Sequence, residues 1–281
     1  MTGKVAVVTG ASRGLGRGIA RGLGSKGMTV YLTGRDHAQL QDAARELEEA
    51  GGKGIPVACD HADDDQVAAL FRQVESEQGR LDLLVNNAAA VHPQELSRPG
   101  PFWEKDLGLA QMIDVGLRSN YVAAYHAAPL MLKSEAALVA NISFYGASGY
   151  FHGPAYGAAK AGTDKMTFDM GIDFAETPVS VVSIWPGFIL TDMVKAIPEE
   201  QFPPEMRAML PEWEHPEFTG LVLAAMLEDP NLKSLSGRTV IGAQMGEKYG
   251  VQDIDGKQPR DWTDRMGEPL KFYLPPQGKT S

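Results

Sequence analysis

Residues 4–18, KVAVVTGASRGLGRG, decide the fold. The run VAVV is apolar and largely β-branched, as a buried strand requires. It passes directly into Gly10, Gly14 and Gly16, spaced G-x-x-x-G-x-G, and then into a helical pattern. Glycines at such a junction allow a tight turn, close approach of backbone to a pyrophosphate, and close helix–strand packing. The following helix N-terminus directs its free N–H groups at such phosphates. Glycine-rich turns are common in themselves. It is the position after a first strand that makes nucleotide binding the expectation for Gly10, Ser12, Arg13, Gly14, Leu15 and Gly16.

Outward from that turn, short apolar runs alternate with helix-length segments. The strand runs are 4–9, 29–33, 55–59, 81–87, 137–143, 179–185 and 238–242. Most are continuous in Val, Ile and Leu, the pattern of strands covered on both faces. The helical segments are 14–26, 36–50, 63–78, 104–133, 155–176 and 216–228. This βαβα order predicts an α/β fold, a doubly wound parallel sheet of about seven strands with helices on both faces. Residues 1–242 form a single domain on this reading. A proline-rich excursion at 187–215 is expected to be a substrate loop. The polar stretch 243–281 is expected to be a tail packing on the domain or on a neighbouring subunit. In the acidic run DHADDD (60–65), carboxylates are expected to cap a helix start.

Composition narrows the function. The chain has 281 residues, 43% hydrophobic and 22% charged, with a formal net charge of −10. That charge argues against a nucleic-acid partner, which calls for a basic face. Nothing approaches the ~18 uninterrupted apolar residues of a membrane span. The start, MTGKVAVVTG, lacks a basic segment followed by a long apolar run, so no secretory signal is expected. The single Cys59 excludes an internal disulfide and fits a reducing compartment, here read as cytoplasmic. Six scattered histidines show no metal-ligand spacing, so no metal site is expected.

The end of the second strand bears on cofactor choice. An acidic residue there would accept bonds from a ribose 2′-hydroxyl. Thr33 and Gly34 occupy the place instead, followed by Arg35, and Arg13 lies in the glycine turn. Two guanidiniums suit a 2′-phosphate, so NADP(H) is favoured over NAD(H). Further on, YGAAK (156–160) sets Tyr156 and Lys160 four residues apart, on one helical face with only small residues between.

These motifs together resemble the short-chain dehydrogenase/reductase family, in its TGxxxGxG and YxxxK subgroup, over about residues 4–242. VTGASRGLG (8–16) resembles the family's cofactor turn, and NNAA (86–89) its NNAG, with Ala89 a departure from the last glycine. Asp60 stands where the family contacts adenine. PGFILT (186–191) resembles the turn and threonine that close over the nicotinamide. Ser143 ends the fifth strand at the family's interval from Tyr156. Within the family, IDVGLRSNY (113–121), LKSLSGR (232–238) and YGVQDIDGKQPRDW (249–262) resemble the dehydrogenase/reductase member 1 branch.

The resemblance implies a Rossmann-type fold and hydride transfer between nicotinamide and a carbonyl or secondary alcohol. It implies Ser143, Tyr156 and Lys160 as catalytic residues. It implies cofactor binding by the turn, Arg35, Asp60, Asn87, Tyr156, Lys160, Pro186, Gly187, Ile189 and Thr191. Tyr156 would be the proton donor, Lys160 would lower its pKa and bond the ribose, and Ser143 would bond the substrate oxygen. Partners are then a small-molecule carbonyl or alcohol substrate and copies of the chain, as a dimer or tetramer. Phe144, Tyr145, Tyr150, Phe151, Trp103, Phe188, Met193, Phe202, Met206 and Trp213 are candidate pocket walls for a hydrophobic substrate. A second departure places Gly116 where the family has a relay asparagine; Asn120, one turn on, or an extra water in the gap left by Gly116, is a candidate replacement, the alternative being that Asn120 merely faces a subunit interface. The competing readings are a non-catalytic NADP(H)-binding regulator and a sugar-nucleotide epimerase. The first would not need Ser143, Tyr156 and Lys160. The second usually carries TGxxGxxG and a larger C-terminal domain.

Overall fold

The structure is a computed structural model that describes residues 1–274. Seven strands form one sheet in the order β3-β2-β1-β4-β5-β6-β7. They are β1 (Val5–Val8), β2 (Thr29–Gly34), β3 (Lys53–Ala58), β4 (Leu83–Asn86), β5 (Ala137–Ile142), β6 (Val179–Trp185) and β7 (Arg238–Ile241). Every pairing is parallel. The main helices are α1 (Gly14–Gly24), α2 (His37–Glu49), α3 (Asp64–Gln78), α4 (Ser119–Met131), α5 (Pro154–Asp173), α6 (Pro216–Leu227) and α7 (Gly242–Tyr249).

The continuous apolar strands reflect burial from both sides. Ala6 and Val8 of β1 join a layer with Ile19, Leu40 and Phe218, from α1, α2 and α6. Val5 and Val7 point the other way, to Val67, Phe71 and Met131, from α3 and α4. Helices α1 and α6 approach through glycine. A Cβ on Gly18 would lie 2.1 Å from Pro216 Cβ, and one on Gly220 would lie 2.4 Å from the Ile19 carbonyl oxygen. Asp63 caps α3, accepting from the amides of Asp65 (3.0 Å) and Gln66 (3.2 Å).

The sheet order reverses between β1 and β4, and a crevice opens at the carboxyl ends of adjacent strands at such a point. A third apolar cluster lies beyond β5 and β6, containing Phe144, Trp185, Trp213 and Trp262. It joins the 187–215 excursion and the 243–274 stretch to the body. The last seven residues of the expected tail, 275–281, lie outside the described residues.

One expected element differs. The helix read over 104–133 is broken into short turns before α4 begins. Val115 (φ −111°, ψ 92°) and Gly116 (φ 143°, ψ −22°) are non-helical. Gly116 occupies a conformation that side chains disfavour. A Cβ there would meet nothing nearer than 3.8 Å, so the backbone conformation, not crowding, calls for glycine. The excursion also has internal order, with short helices at Asp192–Lys195 and Pro204–Met209.

Candidate active site

The crevice is built first from backbone. Gly10 and Gly14 take φ of 65° and 57°. A Cβ on Gly16 would lie 2.4 Å from the Gly10 carbonyl oxygen and 2.5 Å from Asn87 Nδ2. Asn87 closes the turn against β4, its Nδ2 donating to the carbonyls of Thr9 (2.9 Å) and Gly10 (3.2 Å). Arg13 is the α1 N-cap residue, and no side chain caps that helix start. Its first amides are therefore open to an anion. The turn, with open space beside Gly14 up to Thr191 Cγ2 at 3.8 Å, fits a dinucleotide diphosphate.

The ribose side follows from β2. Ser12 packs against Gly34, whose Cβ would lie 3.4 Å from the serine Oγ. Arg13 and Arg35 are both exposed. The next acid, Asp36, caps α2 and accepts from the amide (3.1 Å) and side chain (2.8 Å) of Gln39. The Asp60 carboxylate accepts from the Ala62 amide at 3.0 Å. Buried Thr33 shares a 2.7 Å hydrogen bond with His61, whose burial pulls its pKa down to about 4, leaving a neutral ring.

The opposite wall gathers side chains from distant segments. Pro154 starts α5, preceded by Gly153 at φ 90° and His152 at φ 60°, the one non-glycine residue with positive φ among the described residues. Tyr156 and Lys160 share α5, with Nζ 5.7 Å from the phenol ring centroid. Nζ donates to the Ile142 carbonyl at 3.0 Å, and Ser143 Oγ donates to the Lys160 carbonyl at 3.2 Å. Gly146 admits the Tyr156 ring, since a Cβ there would lie 2.6 Å from Cε1. Burial pulls the Lys160 pKa down to about 8, against the opposing influence of Asp164. It pushes the Tyr156 phenol up. The family pattern implies a lowered phenol; here enclosure raises it, and the ammonium is directed at a backbone carbonyl.

A cavity of about 370 Å³ joins the two walls. It is lined by Leu15, Asn87, Ser143, Tyr156, Lys160, Pro186, Gly187 and Ile189 from the expected site. Gly10, Ser12, Arg13, Gly14, Gly16, Arg35, Asp60 and Thr191 lie outside that lining. Of the ten candidate wall residues, Phe144, Phe151, Phe188 and Trp213 line it. Tyr145 is instead core at 1% exposure, while Trp103, Tyr150 and Met193 are exposed. Phe202 stacks edge-on against Trp213, and Met206 packs on the third cluster.

His152 and Glu214 are contributors that the sequence pattern does not single out, whereas Gly116 and Asn120 are the pair it marks as a departure from the family. Gly116 and His152 line the cavity. Glu214, 2% exposed, locks the base of the excursion. Its Oε2 accepts from the Gly187 amide at 3.1 Å, its amide donates to the Phe188 carbonyl, and its carbonyl accepts from Leu190, the last two at 2.9 Å. Burial pushes its carboxyl up to about 8. Asn120 does not face a subunit interface. It is 2% exposed, and its Nδ2 donates to the Gly116 carbonyl at 2.8 Å. His215, Asp253 and Asp255 also come within 4.8 Å of one another, a grouping their sequence spacing conceals. Asp253 there accepts from both the amide and ring of His215, and Asp255 pairs with Lys257.

A seven-stranded parallel sheet with a glycine turn at its switch point and a Ser–Tyr–Lys cluster across the crevice defines the class of nicotinamide-type dinucleotide-binding α/β proteins. The comparisons narrow this further. The family profile described as short chain dehydrogenase matches residues 4–201. Dehydrogenase/reductase SDR family member 1 of Mus musculus is 39% identical, over 93% of this chain and 87% of that protein. A metagenomic short-chain oxidoreductase solved in complex with NADP superposes with TM-score 0.68 at 30% identity, covering 86% of this chain and 98% of the other. A short-chain type dehydrogenase/reductase from Mycobacterium ulcerans gives 0.75 at 26% identity, covering 94% of each. The chain belongs to the short-chain dehydrogenase family, and its likeness to the member 1 branch is shown.

Proposed function

We propose that the chain is an NADP(H)-dependent oxidoreductase acting on a hydrophobic carbonyl or secondary-alcohol substrate. The observation that carries this reading is the placing of Ser143, Tyr156 and Lys160 on one wall of an apolar cavity that reaches the glycine turn. When bound, the nicotinamide supplies or accepts the hydride. In the reducing direction oxygen gains negative charge and needs a proton. The raised phenol of Tyr156 starts protonated and can give it. Ser143 offers a second hydroxyl to the same oxygen, and the Lys160 ammonium stabilises the phenolate left behind. Gly187 and Ile189 would orient the ring, and Thr191 faces the phosphate side.

Preference for NADP(H) is supported by exposed Arg13 and Arg35 and by the engagement of Asp36 in capping. The relative solved with NADP is consistent with it. A hydrophobic substrate is supported by Phe144, Phe151, Phe188 and Trp213 in the lining. Exposed Tyr121 and Tyr125 on α4 and Ile172 on α5 support a homo-oligomer. Among the described residues no helix is long and apolar enough to cross a membrane. Together with the single buried Cys59 this supports our placing the protein in the cytoplasm.

The test is a screen of apolar ketones and secondary alcohols against all four nicotinamide forms, followed by absorbance at the reduced ring's band. Turnover with NADPH or NADP⁺ on apolar substrates is expected. Tight cofactor binding without turnover on any of them would favour the regulator.

A further inference from the structure

Helix α5 carries a third ionisable group beyond Tyr156 and Lys160. Asp164 lies one turn after Lys160 and is 1% exposed. Ser183 Oγ, from β6, donates to its Oδ1 at 2.6 Å. Trp185 Nε1, two residues along the same strand, reaches Oδ2 at 3.1 Å and Oδ1 at 3.3 Å. The Ser143 hydroxyl donates to the Lys160 carbonyl at 3.2 Å, so the backbone of the same turn is tied to the end of β5. The carboxyl thus lies one helical turn behind Lys160.

Burial of a carboxylate is costly unless donors and a cation support it. Here burial pushes the Asp164 pKa up to about 6. The bonds from Ser183 and Trp185 and the charge of Lys160 oppose that rise. Lys160 has the reciprocal problem. Its enclosure favours the neutral amine, and Asp164 is what opposes that. The other titratable group facing the ammonium is the Tyr156 phenol on the same helix. Strand β5 offers only the Ile142 carbonyl and the Ser143 hydroxyl, and β6 offers Ser183 and Trp185, none of them charged.

We propose that Asp164 is a positioning residue whose buried carboxylate, one helical turn from Lys160, keeps Lys160 in its ammonium form. This rests on the reading of Ser143, Tyr156 and Lys160 given above. The carboxylate touches no substrate. It sets the charge one turn away, and so the pH range over which the phenol–ammonium pair can hand over a proton. The donors from β6 keep the carboxylate ionised, so the strand under the site contributes to its charge state.

The experiment reads Lys160 directly and needs no substrate. The chain is labelled with lysine carrying ¹³C at the ε carbon and titrated by NMR, Lys160→Arg identifying the resonance. In Asp164→Asn the Lys160 midpoint should fall by about one unit or more, since a nearby opposite charge is lost. Asp164→Glu should bring it part of the way back. Should Asp164→Asn fail to fold, Ser183→Ala weakens the carboxylate by removing its shortest donor, and a smaller fall is expected there. A midpoint that matches wild type in every folded variant overturns the proposal.

Turnover separates this from the parent reading. The alkaline limb of the kcat profile should move down with the midpoint in Asp164→Asn, whereas a merely structural aspartate would lower kcat at all pH values equally. A uniform loss with an unmoved limb therefore also overturns it. A moved midpoint in a chain with no nicotinamide-dependent turnover would instead sink the parent reading, and would leave Asp164 as the counter-charge of Lys160.

Discussion

The two walls of the crevice are made of different material. The nucleotide wall, residues 9–16 with Asn87, is almost entirely backbone, held by glycine contacts too close for any side chain. The opposite wall takes Gly116 from a broken helix, Ser143 from the end of β5, and Tyr156 and Lys160 from α5, and is braced at Gly187 by Glu214 from the excursion. The first wall can do little except bind, because amides and glycines have no proton to trade near neutral pH. The second holds every shifted acid or base of the crevice described above apart from His61. Substitutions on the first should therefore change cofactor affinity, and on the second turnover or pH dependence.

The largest expected effect tests that division at its centre. Tyr156→Phe keeps the ring packed on Gly146 and removes only the acid. Turnover should fall by about 10²–10⁴, the usual worth of general acid catalysis, while NADP(H) affinity by fluorescence titration stays within about threefold, roughly 0.7 kcal/mol. Retention of more than about a tenth of the wild-type rate would move the proton donor elsewhere, with His152 the next group to test.

Next in size is a stability effect from the same wall. The Glu214 carboxyl is ordinarily near 4.5 and lies at about 8 in the folded chain. Folded protein thus holds this proton where unfolded chain has released it. The stabilisation is fully present below about 4.5, declines above it, and is lost as pH rises through about 8. Glu214→Gln keeps an acceptor for the Gly187 amide and removes the charge. Its thermal midpoint should fall less between pH 5 and 8 than that of wild type, a difference on the order of a few kcal/mol at pH 8. Parallel melting curves would show instead that Glu214 is ionised and satisfied.

The same contrast explains what could be read in the sequence. The glycine turn was legible because its constraint is local: strand, turn and helix start follow one another within fifteen residues. The strands were legible because burial on both faces leaves unbroken apolar runs, and each observed strand overlaps its expected run. Gly116 was read inside a helix because one glycine in a helical pattern does not announce a reversal of φ. Asp164 and Glu214 escaped because a lone carboxylate, in a helix with Lys165 and Asp169 nearby or in a proline-rich loop, looks solvated. Only packing against β6 or the 187–190 turn buries them. Four of ten aromatic or methionine candidates reach the cavity because side-chain type cannot say which way the excursion folds back.

On the nucleotide wall, Arg35→Asp should change affinity alone. Reversing one exposed charge near the expected 2′-phosphate should weaken NADP(H) binding by about one to two decades, the range of a charged hydrogen bond. NAD(H) affinity should hold or rise, and kcat at saturating cofactor should be unchanged. Equal wild-type affinity for both cofactors would remove the preference for the phosphate altogether.

The smallest expected effect lies where the catalytic wall is itself backbone. Gly116 sits at φ 143° against the cavity, and three neighbours hold it there. Asn120 Nδ2 donates to its carbonyl at 2.8 Å, Thr163 Oγ1 reaches the same oxygen at 3.3 Å, and its amide donates to Ser119 Oγ at 3.1 Å. Because the Asn120 amide group is engaged on that carbonyl, it acts first as a clamp on the cavity wall. Asn120→Ala leaves Thr163 on the carbonyl, so the loss should be about 1 kcal/mol of stability, one hydrogen bond's net worth. Turnover should drop only a few-fold, and a clamp has no proton of its own to titrate, so the kcat–pH profile should keep its shape. A profile whose limbs move in Asn120→Ala, with NADP(H) affinity unchanged, would show that the amide also belongs to a proton path from Lys160. Thr163→Val then separates the two roles: it removes the other hydroxyl from the Gly116 carbonyl and, since that hydroxyl's nearer acceptor is the Ala159 carbonyl at 2.9 Å, should weaken the clamp by less than Asn120→Ala without moving either limb.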